Sequence, residues 1–351
     1  MRIRSTVSAR LSAVAISLAT ALALTACVAG EDAPAAAPEP DASASADGPV
    51  EWSADTLNID FATYNPLSLV IKEQGWLEEA LGDDVTVNWI QSAGSNKANE
   101  ALRAGAVDVG STAGSAALLA RSNGSPIKTI DIYSQPEWSA IVVPAGSDIT
   151  DVSQLAGKSV AATKGTDPYF FLLQSLEEAG VPLDQVEVQN LQHADGKAAL
   201  ENGSVVAWAG LDPLMAASEA TAGSTLLYRN VDFNTYGFLN ATEAFLEKSP
   251  DLAQLVVDTY EKARAYAQEN PEEVASILAE VAAIDPAVAT KVISERTTLD
   301  IDPVPGDAQR KVLAVVGPIF VANGDVPTQD AVDTALDELF EPSFAENADP
   351  S

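Results

Sequence analysis

The chain has 351 residues, with 51 Asp and Glu against 19 Lys and Arg, for a formal net charge of −32. A surface this acidic repels nucleic acid and anionic lipid headgroups, so neither is expected as a partner. One cysteine and one histidine leave no disulfide within the chain and no Cys/His zinc cluster, and any histidine-dependent nucleophile would have to use His193.

At the N-terminus, Arg2, Arg4 and Arg10 precede an apolar stretch from Leu11 to Leu24 that ends in Leu24-Thr25-Ala26-Cys27. A basic start, an apolar middle too short for a stable span, and small residues at a cleavage point read as a secretory signal over residues 1–26. Cys27, directly after the small pair, looks like the cysteine of a bacterial lipobox. It is expected to be lipidated and to hold the protein at the membrane, extracytoplasmically. Removing residues 1–26, which carry those three arginines and no acid, takes the charge from −32 to −35. Residues 27–50 are rich in Ala, Pro, Asp and Ser and lack any large side chain, so they read as a disordered tether.

From Leu57 onward, strand-like and helical runs alternate. Leu57–Thr63 is a strand, Pro66–Leu81 a helix, Val85–Gln91 a strand, and Asn96–Ala104 a helix. Val107–Ser111 is a strand, Gly114–Arg121 a helix and Ile127–Tyr133 a fourth strand. This rhythm predicts a mostly parallel sheet with helices on both faces. It restarts after Ala140–Pro144 with a strand at Ser159–Thr163, a helix at Pro168–Ala179 and a strand at Val186–Leu191. A helix at Lys197–Glu201 and a strand at Val205–Ala209 follow, and Tyr236–Thr242 reads as a strand returning to the first unit. The last hundred residues read as helical. Ser249-Pro250, Asn270-Pro271 and Asp285-Pro286 each set a capping residue before a first-turn proline. Leu252, Leu255, Val256 and Tyr260, then Val274, Ile277, Leu278 and Val281, recur at helical spacing and read as core-facing stripes.

The organisation expected is a lobe I of residues 51–142 plus 237–341, a lobe II of 143–236 and a disordered tail at 342–351. The length suffices for two real cores.

Ligands of open α/β sheets sit beyond the C-terminal ends of strands, where helix N-termini present free amides. Three such junctions are rich in Gly, Ser and Thr: Gln91–Asn96, Gly110–Ser115 and Thr163–Pro168. Such turns suit an oxyanion, because amides and the positive helix end converge; plain capping is the alternative at each. Lys164 could add a charge, or be a solvated loop lysine. Trp208 and Asp212 stand at another strand end, where core packing and a turn are the alternatives. Glu137-Trp138 is the remaining strand-end candidate, and His193, in a polar stretch, reads as a surface residue.

These segments resemble a known family. Ala101–Thr112 (Ala-Leu-Arg-Ala-Gly-Ala-Val-Asp-Val-Gly-Ser-Thr) is similar to a segment of ABC-transporter substrate-binding proteins for aliphatic sulfonates, taurine and nitrate. Lys72–Leu77 looks like that family's first helix, and Asp151–Ala161 like its entry to the second domain. Lys164-Gly165-Thr166, and Ala207-Trp208 with Asp212-Pro213, match two further recurrent pieces. The resemblance implies a periplasmic-binding-protein-like fold of type II: two α/β lobes joined by a hinge, with C-terminal helices packed on the first. It implies a monomeric, non-enzymatic receptor that closes on a small ligand and passes it to an ABC permease. Gly94, Ser95, Ser111, Thr112, Gly165, Thr166, Trp208 and Asp212 are the positions it carries over.

This chain departs from the pattern at Asp167, where a neutral polar residue is usual. A carboxylate there disfavours a bound anion unless it caps the helix. Val206 replaces a common acid and Leu211 an aromatic. A pyrimidine or amine ligand therefore stays open beside an oxyanion. An enzyme on the same fold would need Asp212, Glu137 or Lys164 as its base. A sensor subunit for a membrane receptor kinase is indistinguishable from an importer at this level.

Overall fold

The computed structural model describes residues 51–351; the signal, Cys27 and the tether lie outside the described residues. The first sheet contains β1 (Thr56–Phe61), β2 (Thr86–Gln91), β3 (Val109–Ala113), β4 (Ile127–Ser134) and β10 (Gly237–Thr242), in the order β2-β1-β3-β10-β4. The second contains β5 (Ser139–Val143), β6 (Ser159–Ala162), β7 (Glu187–Asn190), β8 (Ala207–Leu211) and β9 (Thr225–Tyr228), in the order β7-β6-β8-β5-β9.

Both sheets are mostly parallel, as expected, but each holds one reversed strand, β10 in the first and β5 in the second. β1 runs parallel to β2 and β3, but β10 lies antiparallel between β3 and β4. In the second sheet β5 is antiparallel to β8 and β9. The physical cause is the crossover. A strand that arrives directly from the other sheet enters at the C-terminal ends of its neighbours and has to run against them. The chain passes between the sheets at Gln135–Trp138 and returns through residues 229–236. Ser139–Val143 therefore pairs in the second sheet, a few residues before the boundary expected at 142/143. β9, four residues at the edge of its sheet, was not anticipated because Thr-Leu-Leu-Tyr carries no period-2 signal.

Helices cover the sheets. α1 (Pro66–Gln74) and α2 (Trp76–Leu81) divide the single helix expected there, because Gly75 adopts φ +66° and returns its N–H to Ile71 O. α3 (Ser95–Ala104) and α4 (Gly114–Ser122) complete the first unit. α5 (Asp167–Glu178), α6 (His193–Glu201) and α7 (Leu214–Ala222) belong to the second.

The C-terminal run is α8 (Glu243–Lys248), α9 (Pro250–Glu269), α10 (Pro271–Ala282), α11 (Pro286–Arg296), α12 (Asp307–Ala322), α13 (Gln329–Glu338) and α14 (Ser343–Glu346). Prolines open α9, α10 and α11 as read, and the Asp285 carboxylate accepts from Ala287 N–H. The stripes face the first core, except that Val281 is solvent-exposed. Arg264 on α9 crosses to the end of β4 and donates to the carbonyls of Ile132 and Tyr133. α11 reaches α7, and α12 packs on both α4 and α5, so these helices also touch the second unit.

Residues 342–351 are not a disordered tail. α14 packs on α9, Gln254 Nε2 donates to Phe344 O at 3.0 Å, and Asp349 N–H donates to Asp258 Oδ1 at 2.9 Å. Phe344 and buried Ala345 add apolar area to the first core and so hold the segment down.

One glycine sets a close approach at the sheet-to-sheet return. A Cβ on Gly237 would lie 2.4 Å from the fully buried Tyr133 ring. Gly237→Ala is expected to destabilise the fold by about 1–3 kcal/mol in urea unfolding, the usual loss for overpacking. An unchanged midpoint would show that the ring has room to move.

Candidate functional site

The three Gly/Ser/Thr junctions, 20 to 70 residues apart in sequence, meet where the C-terminal ends of the two sheets face one another. Ser95 Oγ accepts Ala113 N–H at 2.9 Å, which joins the turn before α3 to the end of β3. Ser115 Oγ donates to Asp167 Oδ1 at 2.6 Å, which joins α4 to the N-terminus of α5 across the cleft. Gly165, at φ +77°, lies beside α3, where a Cβ would be in ordinary contact with Asn96 Cβ at 3.7 Å. A fourth junction, at the end of β7, joins them: a Cβ on Gly94 would lie 2.9 Å from His193 Nε2.

His193 therefore is not a surface residue. It is 2% exposed and opens α6, which starts four residues earlier than expected. Gly196 in the first turn weakened the helical signal. Its missing side chain is used, since a Cβ there would meet Trp208 Nε1 at 2.7 Å.

Asp167 is the most heavily bonded side chain of the cleft. Oδ1 accepts from the hydroxyls of Ser115 at 2.6 Å and Thr235 at 2.7 Å, and Oδ2 from Trp138 Nε1 and Thr235 N–H, both at 2.8 Å. One carboxylate thus ties α5 to α4 and to both connections between the sheets. It sits at the first position of α5, where the helix dipole favours an anion. Burial raises its pKa, against the pull of these hydrogen bonds. Asp60, at the end of β1, accepts Ser111 N–H at 2.8 Å and Ser111 Oγ–H at 3.1 Å; its other oxygen is unpartnered, and burial pushes its pKa up to about 7.

The remaining candidates are placed as follows. Thr112 is buried, its Oγ1 donating to Ala113 O and accepting from Asn240 Nδ2 at 2.8 Å. Thr166 Oγ1 donates to Thr163 O at 2.6 Å. Trp138 is buried edge-on to Tyr64. Glu137, half-buried, is clamped by Arg229 through two hydrogen bonds. Lys164 is exposed, with Nζ 5.6 Å from the Tyr169 ring centre. Trp208 is fully buried in the core of the second sheet, beside α6. Asp212 pairs with Arg296 Nη1 at 3.0 Å and caps Ala216 N–H at 2.9 Å; burial lifts its pKa to about 6. The cleft thus collects Gly94, Ser95, Ser111, Gly165, Thr166 and Trp138, while Trp208, Glu137 and Asp212 are engaged elsewhere. Between Thr63, Tyr64, Pro136, Trp138, Asp212 and Arg296 a void of about 10 Å³ remains.

Sequence reasoning missed Thr235 and Arg296, placed Ser115 only as the last residue of the second turn, and took His193 for a surface residue. Only His193 left a usable signal, since the strand-end rule that selected the other turns applies equally to β7.

Two mixed sheets of this strand order, crossed twice by the chain and facing each other at their strand ends, define a type II periplasmic-binding-protein-like fold. The chain belongs to the NMT1/THI5-like family, whose model matches residues 66–274, more than half its length. An Escherichia coli K12 protein provisionally described as aliphatic sulfonates-binding is 27% identical over 256 residues, covering 72% of this chain and 80% of that one. Among solved structures, the alkanesulfonate-binding protein SsuA of Xanthomonas axonopodis pv. citri, bound to MOPS, superposes with a TM-score of 0.72 at 23% identity. That match covers 80% of this chain and 98% of SsuA. The desulfurization enzyme DSZB shares the fold at a TM-score of 0.62 and 16% identity, covering 84% and 98%.

Proposed function

We propose that this protein is the extracytoplasmic solute-binding component of an ABC importer, anchored through a lipidated Cys27, and that its solute is a small sulfonate. The lobe built on the first sheet, with β1–β4 and β10, and the lobe built on the second, with β5–β9, rotate about the two connections between the sheets. The observation that carries the reading is the convergence of three Gly/Ser/Thr turns from both sheets on one cleft. The first-turn amides of α3, α5 and α6 lie there, and such amides have no partner within their own helix. Gly94, Ser95, Ser111, Gly165 and Thr166 are the residues proposed to hold the anionic head, with Trp138 at its side.

Asp167 does not oppose an anion in this reading, because its charge is spent on Ser115, Trp138 and Thr235 at the α5 N-terminus. The sulfonate descriptions of the Escherichia coli and Xanthomonas relatives supply the solute class. A binding role rather than catalysis is favoured by the engagement of two of the three candidate bases, Asp212 with Arg296 and Glu137 with Arg229, while the third, Lys164, is exposed at a loop.

Thermal unfolding of the purified protein with alkanesulfonates, taurine, nitrate, amines and pyrimidines tests this. An alkanesulfonate at a hundredfold excess over its Kd should stabilise the fold by about 2.7 kcal/mol and raise Tm accordingly. A response to a pyrimidine or amine, with none to sulfonates at millimolar concentration, overturns the solute class.

A further inference from the structure

α11 belongs to the first lobe by its packing, since Val288, Ala289, Val292 and Ile293 are buried in the first core. It also reaches α7 of the second lobe, and there four charges alternate. Arg296 Nη1 donates to both oxygens of Asp212, at 3.1 and 3.0 Å, and Nη2 donates to Glu219 Oε2. Lys291 Nζ donates to Glu219 Oε1 at 3.1 Å. The second lobe supplies both carboxylates, from the end of β8 and from α7, and α11 supplies both cations. Arg296 and Asp212 are buried, while Glu219 and Lys291 are half-buried. Buried charges favour association only when each is paired and hydrogen-bonded, and this chain of charges meets that condition. Asp212 even accepts a further bond, from Ala216 N–H at 2.9 Å. Leu211, Ala216 and Ala217 of the second lobe join the first core alongside, so the contact is apolar as well. The first connection between the sheets passes the same spot: Glu137 N–H donates to Arg296 O at 2.8 Å, and Asp212 N–H to Trp138 O at 3.0 Å.

We propose that Asp212, Arg296, Glu219 and Lys291 form an inter-lobe clasp that holds the cleft closed with or without solute, and so tunes solute affinity from outside the binding turns. This rests on the reading of the protein as a two-lobed receptor. A net charge of −32 makes two surfaces of this chain repel one another as they approach. At the clasp the sign is reversed, because two cations meet two carboxylates. Opening would part them and leave Asp212 and Glu219, like charges on one lobe, without their counterions. The apparent affinity of a solute scales with the fraction of molecules whose lobes are already closed. Loss of the clasp therefore weakens binding without removing a solute contact.

Glu219→Gln removes the charge that joins Arg296 to Lys291. In solution scattering, the free wild-type protein should have the same radius of gyration as with saturating ethanesulfonate. Free Glu219→Gln should be larger, with unchanged far-UV circular dichroism, and should return to the wild-type radius with ethanesulfonate. By calorimetric titration it should bind that probe about tenfold more weakly, the scale of one lost hydrogen bond to a charged group. Lys291→Met removes the outer cation, keeps its apolar stem and leaves the buried pair intact. It should move both readings in the same direction by less, and it decides the matter if Glu219→Gln does not fold. A free wild-type protein that contracts on adding ethanesulfonate, or variants that match the wild type in radius and affinity, overturns the clasp. If ethanesulfonate binds to none of the proteins, the solute class falls, while the radii of the free proteins still decide the clasp.

Discussion

Asp167→Ala is expected to lower folding stability by about 3–5 kcal/mol, the largest effect of any single cleft substitution. The carboxylate accepts four hydrogen bonds, and two of their donors, Trp138 Nε1–H and Thr235 N–H, cannot turn to another acceptor. Each buried donor left unpaired costs about 1–3 kcal/mol, while the Ser115 and Thr235 hydroxyls relax more cheaply. Asp167→Asn should lose less, about 1–2 kcal/mol. Its carbonyl can serve the two N–H donors, and its amide can donate to hydroxyls that also accept. Urea unfolding of both variants measures the difference. A loss below 1 kcal/mol for the alanine variant would show that the carboxylate does not hold the cleft together. Because the three partner residues lie on α4 and on both connections, the alanine variant should also give a larger radius of gyration by solution scattering.

Asp60 sets the second large effect, on the pH dependence of stability. Its pKa is about 7 in the fold against an ordinary 3.8. The native state therefore holds a proton that the unfolded chain has released, and stability falls as pH rises between those two values. The whole difference corresponds to about 4 kcal/mol, of which about 2–3 kcal/mol falls between pH 5 and pH 8. Asp212, raised to about 6, acts with the same sign; His193, lowered to about 3, acts with the opposite sign below its ordinary 6.5. Asp60→Asn isolates the contribution, because it removes only this titration. The stability of the variant relative to wild type should climb by about 2–3 kcal/mol from pH 5 to pH 8. A flat difference would mean that Asp60 is not protonated in the native state at neutral pH.

Much of the cleft was readable before any coordinates. Gly94, Ser95, Ser111, Gly165 and Thr166 follow from strand ends running into helix starts, a pattern confined to a few consecutive residues. Asp167 was visible as an anomaly, and helix capping had been named as the condition on which it would not repel an anion. Its partners were not visible, because Ser115, Trp138 and Thr235 lie 52, 29 and 68 residues away and come together only when the two sheets face each other. Trp208 shows the same limit in reverse. A tryptophan at a strand end fits a core and a ligand platform equally well until the neighbouring helix brings Gly196 against its indole.

Local patterns, which depend on residues a few positions apart, were enough for the alternation of strands and helices, the two-unit plan, the proline-opened C-terminal helices and the amide-rich turns. Long-range assembly decided the antiparallel return of β10, the pairing of β5 and β9, the burial of His193 and the four-bond fate of Asp167. Those depend on which distant groups a buried polar atom can reach once water is gone, and that distance has no counterpart along the chain.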